Sequence, residues 1–119
     1  MYKSFREMPV WQKAMELSIE FFKLSSSLPR SEDYGLTSQL RRAANSVSAN
    51  IAEGFGRNTS KDKSNFYIIS RGSAFETQNH LLYGNEVGYF ESEISIKIIS
   101  DYDELIHELN KLLKSLTKP

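Results

Sequence analysis

Apolar residues recur every three or four positions in four stretches of the chain, and no stretch shows the period-two alternation of a half-buried strand. The first runs over 9–28. Val10, Ala14, Leu17, Phe21, Leu24 and Leu28 draw one stripe, which Trp11, Met15 and Phe22 widen. Pro9 suits the first helical turn, where its missing N–H costs nothing. Ser25, Ser26 and Ser27 weaken the end, and Pro29 stops it. The second helix is expected from Ser31 or Asp33, either of which can cap it, to Gly54 or Gly56. Its stripe is Leu36, Leu40, Ala43, Val47 and Asn50, with Ala44 and Ile51 beside it. The third is expected to follow Thr59 or Ser60 and to run to about Gly88, with Thr59 and Asp62 forming a capping pair. The fourth spans Ser92 to Leu116, with Ile98, Tyr102, Leu105, Leu109, Leu112 and Leu116 on its stripe. Short connections between four such helices predict an all-α, antiparallel up-down-up-down four-helix bundle, one domain over 1–119.

The third helix carries more apolar surface than one stripe needs. Phe66, Ile69, Ala74, Leu81, Tyr83 and Val87 form a broad face that reads as the core side. A second line, Ile68, Phe75, Leu82 and Tyr89, repeats every seven residues and is set apart by Arg71, Gln78 and Asn85 on one side and Gly72, Asn79 and Glu86 on the other. A helix apolar on two sides is fully enclosed or touches a second partner, and a four-helix bundle leaves each helix an outer face. Ile68, Phe75, Leu82 and Tyr89 are therefore the expected oligomer interface, unless the line lies at a core boundary. The outer face of the second helix, with Ser38, Gln39, Arg42, Asn45, Ser46, Ala49, Ala52 and Glu53, is small and sparsely charged, which permits close approach of another surface. Two different faces that bind copies of one protein make a heterologous contact, the kind that closes into a ring.

Composition narrows the chemistry. The 119 residues suffice to bury a core without a staple, and the absence of cysteine excludes disulfides, thiolate metal sites and cysteine nucleophiles. The stretch Met1–Trp11 has charges and a proline where a signal peptide has an apolar run, and no run of about 18 apolar residues exists, so a cytoplasmic protein is expected without a membrane partner. Net charge is zero but unevenly spread. Residues 37–75 carry six basic and two acidic side chains, and residues 76–119 carry four basic and eight acidic. A neutral total argues against indiscriminate polyanion binding, while the basic middle keeps a specific anionic partner open. Arg42, Arg57, Lys61, Lys63 and Arg71 are the candidate nucleic-acid contacts. A structural role competes with that assignment: Glu53 and Arg57 are spaced to pair on one helix, an arginine of the second helix is expected to satisfy Glu76 or Glu53, and the Arg41 stem is placed to cover apolar surface.

Catalytic and metal chemistry finds little support. Glu104 and His107 have Glu-x-x-His spacing, but a di-iron bundle needs two such pairs and two further glutamates, and His107 is expected to face water. Glu76 and His80 sit four apart, an arrangement that more often gives a hydrogen-bonded histidine than an acid–base pair. Gly54-x-Gly56 has no preceding strand and no third glycine, so it is not a dinucleotide fingerprint. No cofactor, metal or small-molecule substrate is expected, and no enzyme activity.

The most specific stretch is Tyr34-Gly35-Leu36, Gln39-Leu40-Arg41-Arg42-Ala43-Ala44, Ser46, and Asn50-Ile51-Ala52-Glu53-Gly54-Phe55-Gly56-Arg57. It resembles the signature of the 23S rRNA intervening-sequence protein family, also called the four-helix bundle protein family. Val10-Trp11-Gln12-Lys13-Ala14, Leu28-Pro29 with Glu32, and Phe66, Arg71-Gly72-Ser73 and Glu76 extend the resemblance over nearly the whole chain, while the fourth helix matches only as a generic amphipathic segment. The resemblance implies a four-helix bundle that assembles as a homopentamer. It also implies kinship with the accessory variability proteins of diversity-generating retroelements, which bind nucleic acid. The expectation is a non-enzymatic oligomer that associates with RNA or a ribonucleoprotein; the alternative is a protein-interaction scaffold without nucleic-acid affinity.

Overall fold

The computed structural model describes residues 1–117. Among these residues there are four helices and no strand: α1 (Pro9–Ser25), α2 (Leu36–Phe55), α3 (Ser60–Glu86) and α4 (Ser92–Ser115), with short 3-10 turns at Phe5–Glu7 and Arg30–Glu32. Consecutive helices run antiparallel, as their cross-contacts show. Ser46 meets Ser73 and Val47 meets Ser70 between α2 and α3, while Gln78 meets Ile99 and Arg71 meets Asn110 between α3 and α4. α2–α3 is the most extensive pairing and α1–α4 the least, and α1 does not touch α3. The two therefore stand at opposite corners of the bundle, which measures 48 × 24 × 20 Å.

Helix ends follow local chemistry. α1 stops three residues short of Leu28 because the serines compete for its carbonyls: Ser25 and Ser26 hydroxyls both donate to Phe22 O, at 2.9 and 3.0 Å. α2 starts later than expected. Ser31 lies in the 3-10 turn, Asp33 follows it, and neither caps the helix. Glu32 replaces them. Its Oε1 accepts from Leu36 N at 3.2 Å and its Oε2 accepts from the Tyr89 hydroxyl at 2.8 Å, so one carboxylate ties the α1–α2 connection to the α3–α4 connection. α3 begins as expected, with Thr59 Oγ1 accepting from Asp62 N at 3.1 Å. It ends in a left-handed Gly88 (φ 86°), with Tyr89 N donating to Gly84 O at 2.8 Å and Gly88 N to Asn85 O at 3.1 Å, the paired bonds of a Schellman motif.

The core is built from Phe21, Leu40, Val47, Ile51, Leu81, Ile98, Tyr102, Leu105 and Leu109. The inner face of α3 contributes mostly small or polar side chains: Ser70, Ala74, Thr77, Gln78 and Gly84, with Tyr67 and Leu81. These are satisfied across the seams. Ser70 Oγ donates to Val47 O at 2.7 Å, and Gln78 Nε2 donates to Ile99 O at 3.0 Å and to Asp103 Oδ1 at 2.8 Å. The expected core side of α3 is thus rotated. Ala74 and Leu81 are buried, but Ile69, Tyr83 and Val87 are about half exposed and Phe66 only partly covered. α2 ends at Phe55 with Gly56 as its C-cap, one of the two glycines expected there, and Gly54 has a packing role as well. It is the buried penultimate residue of α2, and a Cβ there would lie 2.6 Å from Tyr67 Cε1.

Gly54→Ala pits a helix-propensity gain of about 1 kcal/mol against overpacking of about 1–3 kcal/mol on a buried ring. Overpacking wins, so urea denaturation should show a lower midpoint. The Tyr102 hydroxyl is buried without a protein hydrogen-bond partner, and burial, helped by the Glu20 charge, pushes its pKa well above the ordinary phenol value. The folded state holds this proton more tightly than the unfolded chain. Stability is therefore insensitive to this group below about pH 10 and falls as pH rises beyond that. Tyr102→Phe should leave neutral-pH stability within about 1 kcal/mol and flatten the alkaline fall measured by denaturation at stepped pH.

Candidate assembly surface and basic segment

Ile68, Phe75 and Leu82 project from the solvent side of α3 at 47%, 52% and 50% exposure. Each sits three residues before a polar side chain bonded to α4: Arg71 to Asn110 Oδ1, Gln78 to Ile99 O and Asp103, and Asn85 to Ser92. The heptad-spaced apolar line therefore rims the α3–α4 seam without entering it. Tyr89, its expected fourth member, is half-buried and spends its hydroxyl on Glu32, which raises the tyrosine pKa. Its place is in the end staple, because the helix has already ended at Glu86. Ile69, Tyr83 and Val87 extend the exposed face toward the other flank. Sequence reading missed these three because their spacing also fits a core stripe. The only signal available was the run of small residues that competes for the inner position. Between Asn65 and Val87 the exposed charges are carboxylates, Glu76 and Glu86.

The five basic candidates do not form one open patch. Arg57 Nη2 pairs with Glu53 Oε2 at 3.0 Å while its guanidinium lies 4.5 Å from the Phe66 ring centroid. Lys63 Nζ donates to the carbonyl oxygens of Phe55 at 2.7 Å and Gly54 at 3.3 Å, closing the C-terminal end of α2. Arg71 Nη1 donates to Asn110 Oδ1 at 2.8 Å. Arg42 and Lys61 are exposed and make no ion pair or side-chain hydrogen bond among the described residues. The Glu53–Arg57 pair matches its spacing. Glu76 does not meet an arginine of α2: it is exposed and pairs with His80 at 3.2 Å, because the rotation of α3 takes it away from the core. Arg41 does cover apolar surface, lying 4.1 Å from the Phe22 ring centroid with Nε donating to Ser25 Oγ at 2.7 Å.

Other chemistry stays dispersed. Glu104 pairs with Lys13 at 3.1 Å and His107 faces solvent. No group of three or more histidine, aspartate or glutamate side chains among the described residues is placed to hold a metal ion. No helix among them is long and apolar enough to cross a membrane.

The contrast between Lys63 and Lys61 is measurable. Removing charged hydrogen bonds to helix-end carbonyls costs roughly 1–2 kcal/mol, whereas an exposed, unpaired lysine is worth within about 0.5 kcal/mol. Lys63→Met should lower the urea midpoint and Lys61→Met should leave it in place.

Comparison with known proteins bears on the fold and the lineage. No curated protein matches the chain. A solved structure matches with a TM-score of 0.82 at 24% identity, covering 88% of this chain and 98% of the other: a protein of unknown function from the S23 ribosomal protein family of Bacteroides thetaiotaomicron. At that identity the likeness establishes the shared bundle alone. The sequence model described as 23S rRNA-intervening sequence protein matches residues 6–111, most of the chain and all of α1, α2 and α3. The helical bundle and this match agree, and the chain belongs to the 23S rRNA-intervening sequence protein family.

Proposed function

We propose that the protein is a non-catalytic scaffold that works as a homo-oligomer, with the outer face of α3 as a self-association surface. The observation that carries this reading is six large apolar side chains left about half exposed on the outer side of α3 and its C-cap: Ile68, Phe75 and Leu82 along the α4 flank, and Ile69, Tyr83 and Val87 toward the other, with Gly72, Glu76, Asn79 and Glu86 between them. Exposed large apolar side chains grouped on one element mark interaction sites. Covering the exposed half of each is worth roughly 1 kcal/mol, so about 6 kcal/mol in all. Association costs an estimated 4–15 kcal/mol, so the face is a substantial contribution that still needs an apolar counterpart. The family resemblance implies a pentamer.

A second reading, association with RNA in the cytoplasm, is favoured by the family's link to 23S rRNA and by the unpartnered Arg42 and Lys61. Two available cations per chain give weak binding to one subunit. An oligomer repeats them and gains avidity.

Light scattering tests the first reading. The wild type at micromolar concentration should exceed the 13.7 kDa of one chain severalfold, and Phe75→Glu/Leu82→Glu should give the single-chain mass with unchanged helical circular dichroism. A wild type at 13.7 kDa contradicts the scaffold reading. Titration against structured 23S rRNA fragments at several salt concentrations tests the second. Binding should fall with salt and vanish in Arg42→Glu/Lys61→Glu, and no binding even at low salt removes it.

A further inference from the structure

A second apolar surface lies on the far side of the bundle. Ile19 and Phe22 on α1 are 49% and 55% exposed, and with Met15, Ser18, Arg41 and Asn45 they line an open groove between α1 and α2. Arg41 is spread over the Phe22 ring, fixing one wall. The groove thus offers an apolar floor with the Arg41 guanidinium along its α2 side. The α3 outer face offers the reverse, an apolar row in which the exposed charges are Glu76 and Glu86.

We infer that the α1–α2 groove of one copy is the seat for the α3 outer face of the next, an inference that rests on the self-association reading above. Three observations carry it. Charge is complementary between the two surfaces, whereas α3 packed on its own copy would crowd Glu76 and Glu86 of both chains into one desolvated seam. Both surfaces are open in a single chain, and α1 and α3 stand at opposite corners, so one copy can engage two neighbours at once. The groove also lies between α1 and α2, off the line through α3. Successive copies therefore turn to the same side instead of stacking straight, as a closing heterologous ring requires.

Two variants with complementary damage test the pairing. Phe75→Glu/Leu82→Glu removes the inserted face and keeps the groove; Ile19→Glu/Phe22→Glu removes the groove and keeps the inserted face. All four side chains are about half exposed, and circular dichroism checks that each variant remains helical. Each alone should run at the 13.7 kDa chain mass in light scattering, and an equimolar mixture should form a 1:1 dimer that grows no further. An Ile19→Glu/Phe22→Glu protein that still assembles like the wild type overturns the groove assignment and leaves the scaffold reading standing; if it forms a dimer by itself, α3 packs on α3. Two monomeric variants that stay apart when mixed also overturn it. A monomeric wild type removes the scaffold reading itself, so the two failures are distinguishable.

Discussion

The close approach of α2 and α3 governs the rest of the molecule. Gly54 lets the Tyr67 ring lie against the α2 backbone, Ser70 bonds to the carbonyl of Val47, and Ser46 meets Ser73 at 2.9 Å. Apart from Tyr67, which Gly54 admits, such a seam is lined by small side chains, since an added methylene in a packed interface already costs more than it returns. With serine, alanine, threonine and glycine taking most inward positions beside Tyr67 and Leu81, Ile68, Ile69, Phe75, Leu82 and Tyr83 take positions that face water. The surface proposed for assembly follows from how tightly one pair of helices packs.

The same rotation explains why polar groups sit where they do. Glu76 turns out to His80, and Gln78 turns in to bridge Ile99 O and Asp103 of α4. At one end of the bundle, Glu32 serves as cap for α2 and acceptor for Tyr89 together. At the α2–α3 turn, Lys63 and Arg57 hold the segment from Gly54 to Phe66 by carbonyl contacts, one ion pair and a guanidinium–ring stack. Of the basic residues that look like a phosphate patch in the sequence, Arg57 and Lys63 fasten a turn and Arg71 bridges to α4, which leaves Arg42 and Lys61 as the ones available to an anionic partner.

Much of the architecture was legible from period alone. The stripes of α1 and α4 are strongly amphipathic, and Val10, Ala14, Leu17 and Phe21, like Ile98, Tyr102, Leu105 and Leu109, are buried as their spacing predicts. α3 was harder. Its apolar residues are spread over two sides, so periodicity could not say which side is the core, and Ile69, Tyr83 and Val87 were placed inside when they lie outside. The line Ile68, Phe75 and Leu82 was still recognisable as surplus, because three apolar residues seven apart on a helix with another complete stripe have no core to fill. The cap of α2 was not legible: Glu32 reaches it from a 3-10 turn and its other oxygen needs Tyr89, fifty-seven residues away.

The central claim, that α3 turns an apolar face outward for a second copy to cover, is tested most directly by hydroxyl-radical footprinting of the unmodified protein across a dilution series. Phe75, Leu82 and Tyr83 should become protected as concentration rises, while Tyr34, fully exposed in the α1–α2 connection, stays reactive throughout. Equal reactivity of the three α3 residues at every concentration, with Tyr34 unchanged, would contradict the account.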